Sequence, residues 1–434
     1  MATINESTIT DLIHFFITAS DGSTYAFSDT GRIYSIAGHK DDPVTTLVYT
    51  DTNGKIKGAA EWELSDGNNY IFWATDTSIS RKLFPGDTTV TWTDVTQNWK
   101  TTLDGAEWHT MDMAGGQLMI VNANALATID FDGNFIAQDL NVRPGNILTA
   151  LEERDDYVIM GSVRLDNSEE GHLWAWITTA DNYVQKKRIP VKGINALIST
   201  ELMLLQGGDD GEIFFSDFVN AMPLHAIPGG GKVNPGGVSI ENDLAVFGFY
   251  GGTYPGIWSY GRRMKNRPFA LNYQYRLAKT VGGSTISTIG AIATANDLIL
   301  ASWGTTDGST SDYGIDMVSS TTRANAVYEG LEFDGGKPHL KKQVNVIHVI
   351  MSPLASGTSI SAKYKLNKES AWRYAVLGDG ATTFSQADAV EAIFSIGNTA
   401  LIYEKGLELN ASGSSTPEIQ SITTYISNEA YDYG

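Results

Sequence analysis

Short apolar runs recur along the chain in pairs, each pair joined by a turn rich in Gly and Asp. The clearest is Glu201–Phe218, ELMLLQGGDDGEIFFSDF. It predicts two strands, Leu202–Gln206 and Glu212–Phe218, around a turn whose residues supply the positive φ angles of a tight hairpin. Both runs are apolar along most of their length, as expected of strands covered on two faces. The same unit recurs at Asp21–Ile36, Asp66–Phe84, Gly115–Phe131, Asp155–Ile177, Asn242–Tyr260 and Asn296–Ser319. Its first large apolar residue falls at Tyr25, Tyr70, Leu118, Tyr157, Leu202, Leu244 and Leu298, a period of roughly 40–50 residues.

Repeats of that length with about four strands each mark the blades of a β-propeller. One blade cannot bury both of its faces. Blades packed around an axis can, and a closed ring covers the first and the last. The copies predict an all-β fold led by a seven-bladed β-propeller. Six or eight blades, or an irregular β-sandwich, are the competing architectures. Blade one takes Leu12–Thr18, Thr24–Ser28, Arg32–Ile36 and Thr45–Thr50. Blade four ends with Tyr183–Val191 and blade six with Leu271–Leu277. Blade seven runs from near Ser287 to a last strand at Ala324–Phe333. First strands such as Ile194–Thr200 and Ile286–Thr294 are small and apolar, which suits a crowded position near the axis. The Thr/Ile-rich residues 1–10 are a candidate strand for closing the ring.

The period breaks at Phe333–Pro338, FDGGKP, which predicts a domain boundary. The propeller is assigned to residues 1–335 and a second domain to 336–434. The second domain alternates apolar and polar residues, most cleanly in Ile360–Leu366. Further strands are expected at Val344–Met351, Trp372–Val376, Ala392–Ser395, Leu401–Leu409 and Glu418–Ile426. That number of strands in about a hundred residues predicts a small antiparallel β-sandwich.

Composition narrows the function. The chain has 434 residues, 44 Gly, 19 Tyr, 10 Trp and no Cys, and its net charge is −20. Without cysteine there are no disulfides, thiolate metal sites or thiol catalysis. The acidic surface repels nucleic-acid phosphates, so sequence-specific nucleic-acid binding is not expected, although a channel that passes DNA without holding it is compatible. The N-terminus lacks the basic and apolar regions of a signal peptide, and no apolar run approaches the roughly 20 residues of a membrane helix. A protein made in the cytoplasm and not inserted in a membrane is expected.

No strong catalytic motif is present: there is no G-x-S-x-G, H-E-x-x-H or G-x-x-x-x-G-K-[ST]. The seven histidines have no metal-ligand spacing. Asp130, Asp132 and Asn134 place three oxygen side chains on alternate residues, a weak calcium signal. The same residues form the Asp-Gly turn a hairpin needs, and the turn is the stronger reading. Gly207–Gly211 reads the same way. Ser28–Tyr34, SDTGRIY, approaches a sialidase box with its Asp out of register. No catalytic, metal-binding or cofactor-binding residues are assigned, and no cofactor is expected. Two basic clusters interrupt the acidic background. Arg262, Arg263, Lys265 and Arg267 form a loop of blade six and are candidate subunit contacts. Lys186, Lys187 and Arg188 sit on an outer strand of blade four. Trp174, Trp176 and Trp258 are either sugar-stacking platforms or blade packing, with packing favoured.

The segment Val344–Leu377, VNVIHVIMSPLASGTSISAKYKLNKESAWRYAVL, follows the order strand, L-x-x-G-T-S-I turn, Y-K strand, polar turn, aromatic-rich strand. Together with the preceding repeats it resembles virion structural proteins of tailed bacteriophages, especially tail and tail-tip components. The resemblance consists of pattern and order and supplies no catalytic residue. It implies a non-enzymatic structural protein of the virion, assembling with other tail proteins and as a homo-oligomer in a symmetric array. The alternative is a carbohydrate-binding or glycoside-hydrolysing β-propeller, for which facing carboxylate pairs would be the chemistry.

Overall fold

The computed structural model describes residues 2–4, 9–39, 42–84, 92–166, 169–218, 220–262, 265, 269–277, 288–295, 298–307, 310–318, 323, 325–337 and 339–428. Among them the chain is all-β. There is no helix, and so none long and apolar enough to cross a membrane. The chain divides into two compact units, Met1–Val318 and Ser319–Gly434.

The first unit holds seven antiparallel sheets of four strands among the described residues. Six are built from consecutive strands. Sheet one, for example, takes Ile13–Thr18, Thr24–Ser28, Arg32–His39 and Asp42–Thr50 in order. The first strand of each sheet packs against the first strand of the next, from Ile13–Thr18 through Gly58–Glu63, Met111–Ala114, Asn146–Arg154, Ile194–Ser199 and Val238–Glu241 to Thr288–Ala295. That last strand packs back on Ile13–Thr18. This radial arrangement is a β-propeller. It explains the burial: second and third strands such as Leu244–Phe249 and Gly171–Trp176 are buried at every residue. The fourth strands Ala221–Ala226 and Ala270–Tyr275 have no buried residue, and half of their residues are exposed.

Sheet seven departs from the sequence reading. Its fourth strand is Ala2–Ile4, with Ala2 opposite Met317 and Ile4 opposite Ile315. The N-terminus therefore closes the ring, as its composition suggested. The segment expected to fill that place, Ala324–Phe333, pairs elsewhere. Its strand Ala326–Glu329 lies against Tyr403–Asn410 in the second unit. That pairing also moves the division of the chain from after residue 335 to Val318/Ser319. Gly290 lets the joint close: a Cβ there would lie 1.9 Å from the Ile13 carbonyl oxygen.

The second unit has two antiparallel sheets. One orders Ala326–Glu329, Tyr403–Asn410, Ser359–Leu366 and Arg373–Tyr374; the other orders Glu391–Ala400, Lys342–Met351 and Ile419–Asn428. Inward residues of both share one core, including Ile347 and Phe394 from the second sheet and Ile360 and Leu407 from the first. The alternation predicted for Ile360–Leu366 holds less cleanly than expected, because Ser361 and Lys363 are also covered.

Candidate functional site

The basic loop of sheet six is tied into its own chain. Arg262 follows the strand Gly256–Gly261 and reaches Glu201, on the hairpin between the first two strands of sheet five. Its Nε donates to Glu201 Oε2 at 2.7 Å and a second guanidinium nitrogen donates to Oε1. A third donor goes to the Lys265 carbonyl at 2.7 Å, and the guanidinium stacks over Phe269. Lys265 is exposed. Arg263 and Arg267 lie outside the described residues. The second cluster is also engaged: Lys186 lies 4.7 Å over the Trp174 ring, and Arg188 pairs with Glu170 at 2.5 Å.

The Asp130–Asn134 segment is built as a turn. Asp130 Oδ1 accepts the Asn134 amide at 2.8 Å, its Oδ2 accepts the Asn134 side-chain NH₂ at 2.9 Å, and Gly133 has φ +77°. Those bonds hold the Asp130 carboxyl below the usual range. Among the described residues no group of three or more His, Asp or Glu is placed to hold a metal ion. Trp174, Trp176 and Trp258 are all buried, at 0%, 2% and 8% exposure, so none offers a face to a sugar ring. They are blade-packing residues.

The structure brings together a set of carboxyls that spacing alone does not show. Asp112 and Glu152 lie on the first strands of sheets three and four, which are neighbours in the inner ring. Asp112 Oδ1 accepts the Met113 amide at 2.8 Å. Glu152 Oε1 accepts the Ser199 amide of sheet five at 2.9 Å, and Glu153 Oε1 accepts the Gly115 amide of sheet three at 3.0 Å. Glu152 and Glu153 thus stitch sheets three, four and five, while Asp112 bonds the amide next to it in its own strand. Burial pushes the Asp112 carboxyl up to about 6, and the charge of Glu153 adds to the rise. Burial, then the negative charge of Asp112, raises the Glu152 carboxyl well above its ordinary value. Both groups are disfavoured as anions by lost hydration and by neighbouring carboxylates, Glu153 for Asp112 and Asp112 then Glu153 for Glu152. Separations along the chain of this kind carry no sequence motif; only the register of neighbouring blades reveals them.

A second cluster gathers His14 of sheet one with Lys55 and Trp108, from the connections that lead into sheets two and three. His14 sits 5.0 Å from Trp108, and Lys55 Nζ lies 4.4 Å over the same indole. Burial, then the Lys55 charge, pushes the His14 imidazole down to about 3, so it is neutral at ordinary pH.

No protein-family model matches the chain, and no curated protein matches it. Among solved structures it is similar to the WD40 β-propeller domain of Doa1, at 12% identity over 70% of this chain and 93% of that one, with a TM-score of 0.48. It is also similar to the computationally designed Ika8 protein, at 13% identity over 70% and 86% of the two chains, TM-score 0.41. A third likeness is to YjhT, at 11% identity over 62% and 99%, TM-score 0.42. Likenesses of this depth carry nothing about what the chain binds or does.

Chemically, the raised Asp112 and Glu152 carboxyls each keep a proton to higher pH than an ordinary acidic side chain. The Arg262–Glu201 and Glu152–Ser199 links do something different: they fasten successive blades.

Proposed function

We propose that the protein is a non-enzymatic structural component of a bacteriophage tail, made in the host cytoplasm and carried in the virion. Its first unit is a seven-bladed β-propeller and its second a small antiparallel β-sandwich. Other tail proteins, and further copies of the chain, meet the surfaces of both. The observation that carries this reading is the closed cycle of first strands, sealed by Ala2–Ile4 on Ile315–Met317, which makes a body fixed at every joint. Such a body serves as a building block in a symmetric array. The order of strands across Lys342–Met351, Ser359–Leu366 and Arg373–Tyr374 supports the resemblance to tail proteins. The inward engagement of Arg262 leaves the exposed Lys265 as the described part of that loop open to a neighbour. Mass spectrometry and electron microscopy of purified virions test the proposal. The chain is expected in particles at a fixed stoichiometry, and its absence from them would sink the reading.

A second reading, a carbohydrate-binding or glycoside-hydrolysing propeller, draws on one observation: the raised carboxyls of Asp112 and Glu152 on adjoining inner strands. With Trp174, Trp176 and Trp258 buried, its stacking surface would have to come from other rings. Binding or hydrolysis of a polysaccharide, lost in Asp112→Asn and Glu152→Gln, would favour it over the tail role.

A further inference from the structure

The strand Ile419–Asn428, IQSITTYISN, lies at the edge of the three-stranded sheet and among the described residues pairs only with Lys342–Met351. It is long for an edge, and its sequence contains no charged residue and no proline, in a chain with 30 basic and 50 acidic residues. Exposed edges are ordinarily blunted by charge, proline or shortness. Other edges of this protein show those devices. Gln185–Ile189 carries three basic residues, and Ala221–Ala226 contains Pro223. Arg373–Tyr374 is two residues long, and the edge strand Glu391–Ala400 is partly covered by a bridge from Val376 to Ser395. Among the described residues its side contacts are few: Lys405 Nζ donates to the Ile422 carbonyl at 2.9 Å, a bond that holds the strand to the opposite sheet, and on the paired strand Asn345 Nδ2 donates to Ser427 Oγ at 3.2 Å and His348 stacks with Tyr425.

The strand is also nearly a palindrome about Thr424. Set antiparallel to a second copy with Thr424 opposite Thr424, it places Thr423 opposite Tyr425, Ile422 opposite Ile426 and Ser421 opposite Ser427. Residues directly opposite in an antiparallel pair share a face. The exposed residues Ser421, Thr423, Tyr425 and Ser427 therefore meet one another, and the half-buried Ile422 meets Ile426, which is itself 36% exposed. This is the self-complementarity a two-fold interface requires, in which residue i meets j and j meets i. On a chain of net charge −20, an uncharged strand is also where two copies approach with little local repulsion.

We infer that Ile419–Asn428 is a homotypic docking edge: two copies of the chain pair there, joining their three-stranded sheets into one continuous sheet of six. The inference does not rest on the tail assignment, since absence from virions would leave the pairing measurement untouched.

The test is sedimentation of the full-length protein over a wide concentration range, with variants at the exposed positions 423 and 425. Wild type is expected to dimerise. Thr423→Lys with Tyr425→Lys sets like charges opposite each other twice and should weaken association at least about tenfold. Thr423→Glu with Tyr425→Lys sets opposite charges in the same register and should restore it to near wild type. The chain has no cysteine, so Thr424→Cys should oxidise to a covalent dimer, because opposed residues lie within disulfide reach. Tyr425→Cys, two residues out of register with its own copy, should not. Circular dichroism checks that each variant is folded. A wild type that stays monomeric, a Lys/Lys variant that associates normally, or a Glu/Lys variant that fails to rescue would overturn the inference.

Discussion

Ser302 and Ile13, 289 residues apart in the chain, are joined by a buried hydrogen bond in which Ser302 Oγ donates to the Ile13 carbonyl at 2.6 Å. The same oxygen accepts the Ala291 amide at 2.8 Å, so one hydroxyl satisfies two backbone groups where sheet seven meets sheet one. Ser302→Ala leaves both groups buried without that partner. The expected loss is about 1–3 kcal/mol of stability. Thermal unfolding of the purified variant checks it, with Gly290→Ala as a second probe of the same joint. Destabilisation by neither would mean that the ring is not held at this seam.

Deleting Ala2–Ile4 should act on the same seam from the other side. It strips the fourth strand from sheet seven and exposes the edge Thr310–Met317. Amide exchange should accelerate in Thr310–Met317 and in the strand beside it, Leu298–Asp307, while sheets three to five keep their protection. Uniform acceleration across all sheets, or none in sheet seven, would contradict the closure.

The repeat was legible because its middle strands are buried on both faces. Leu244–Phe249 and Gly256–Gly261 read as continuous apolar runs between Gly/Asp turns, and the structure places them at the centre of sheet six. Pairing between distant segments was legible only in outline: residues 1–10 were a candidate for closing the ring, without a partner named. Nothing local in Ala2–Ile4 names Ile315–Met317 as its partner, and nothing in Ala326–Glu329 says that it joins Tyr403–Asn410. The inner carboxyls stayed hidden for a related reason. Asp112 and Glu152 each look like an ordinary acidic residue on a strand, and only the packing of one blade on the next half-buries them and raises their carboxyls. Trp174 and Trp258 were readable either way, because a buried indole and a sugar platform have the same sequence.

Lys342 tests the second unit. It is 2% exposed, and its Nζ donates to three backbone carbonyls, those of Lys337 at 2.7 Å, Leu340 at 2.8 Å and Leu401 at 3.1 Å. The ammonium thus folds the segment before its own strand against the turn at Leu401. Lys342→Met keeps the aliphatic stem and removes the donors; the Lys337 carbonyl keeps the Leu340 amide at 3.1 Å, while those of Leu340 and Leu401 lose this donor. A loss of about 2–3 kcal/mol is expected. It should appear as a lower midpoint for the unfolding of residues 319–434, followed by exchange or proteolysis, with the propeller unchanged. An unaltered midpoint would show that the three carbonyls have other partners.

The bridge from Arg262 to Glu201 separates an internal role from a subunit contact. Glu201 is exposed and Arg262 part-exposed, so the pair is expected to add little to stability. If Arg262 only fastens sheet six to sheet five, Arg262→Ala and Glu201→Ala should have the same small effect, and the double variant should match either single one. If it also meets a neighbouring subunit, Arg262→Ala should weaken assembly while Glu201→Ala leaves it intact. Sedimentation of the three variants distinguishes the two.

The carboxyls of Asp112 and Glu152 make a pH prediction whose sign is opposite to the usual one for acidic residues. Their values are raised in the folded protein, to about 6 for Asp112, so the folded state keeps protons that the unfolded chain releases near pH 4. Their contribution is therefore fully present at low pH and is lost as pH rises through the folded values. For Asp112 alone the span corresponds to as much as about 3 kcal/mol. His14 and His172, pushed down to about 3 and about 4 chiefly by burial, act in the opposite sense as pH rises toward 6.5, which can mask the trend in wild type. The comparison must be wild type against variant. Asp112→Asn and Glu152→Gln retain the uncharged form at every pH. They should match wild type near pH 4 and become progressively more stable than it as the pH is raised toward 8. Denaturant melts at fixed ionic strength across that range provide the check. A stability difference that does not grow with pH would mean that these carboxyls are ionised at no cost and that the inner ring is wetter than its packing implies.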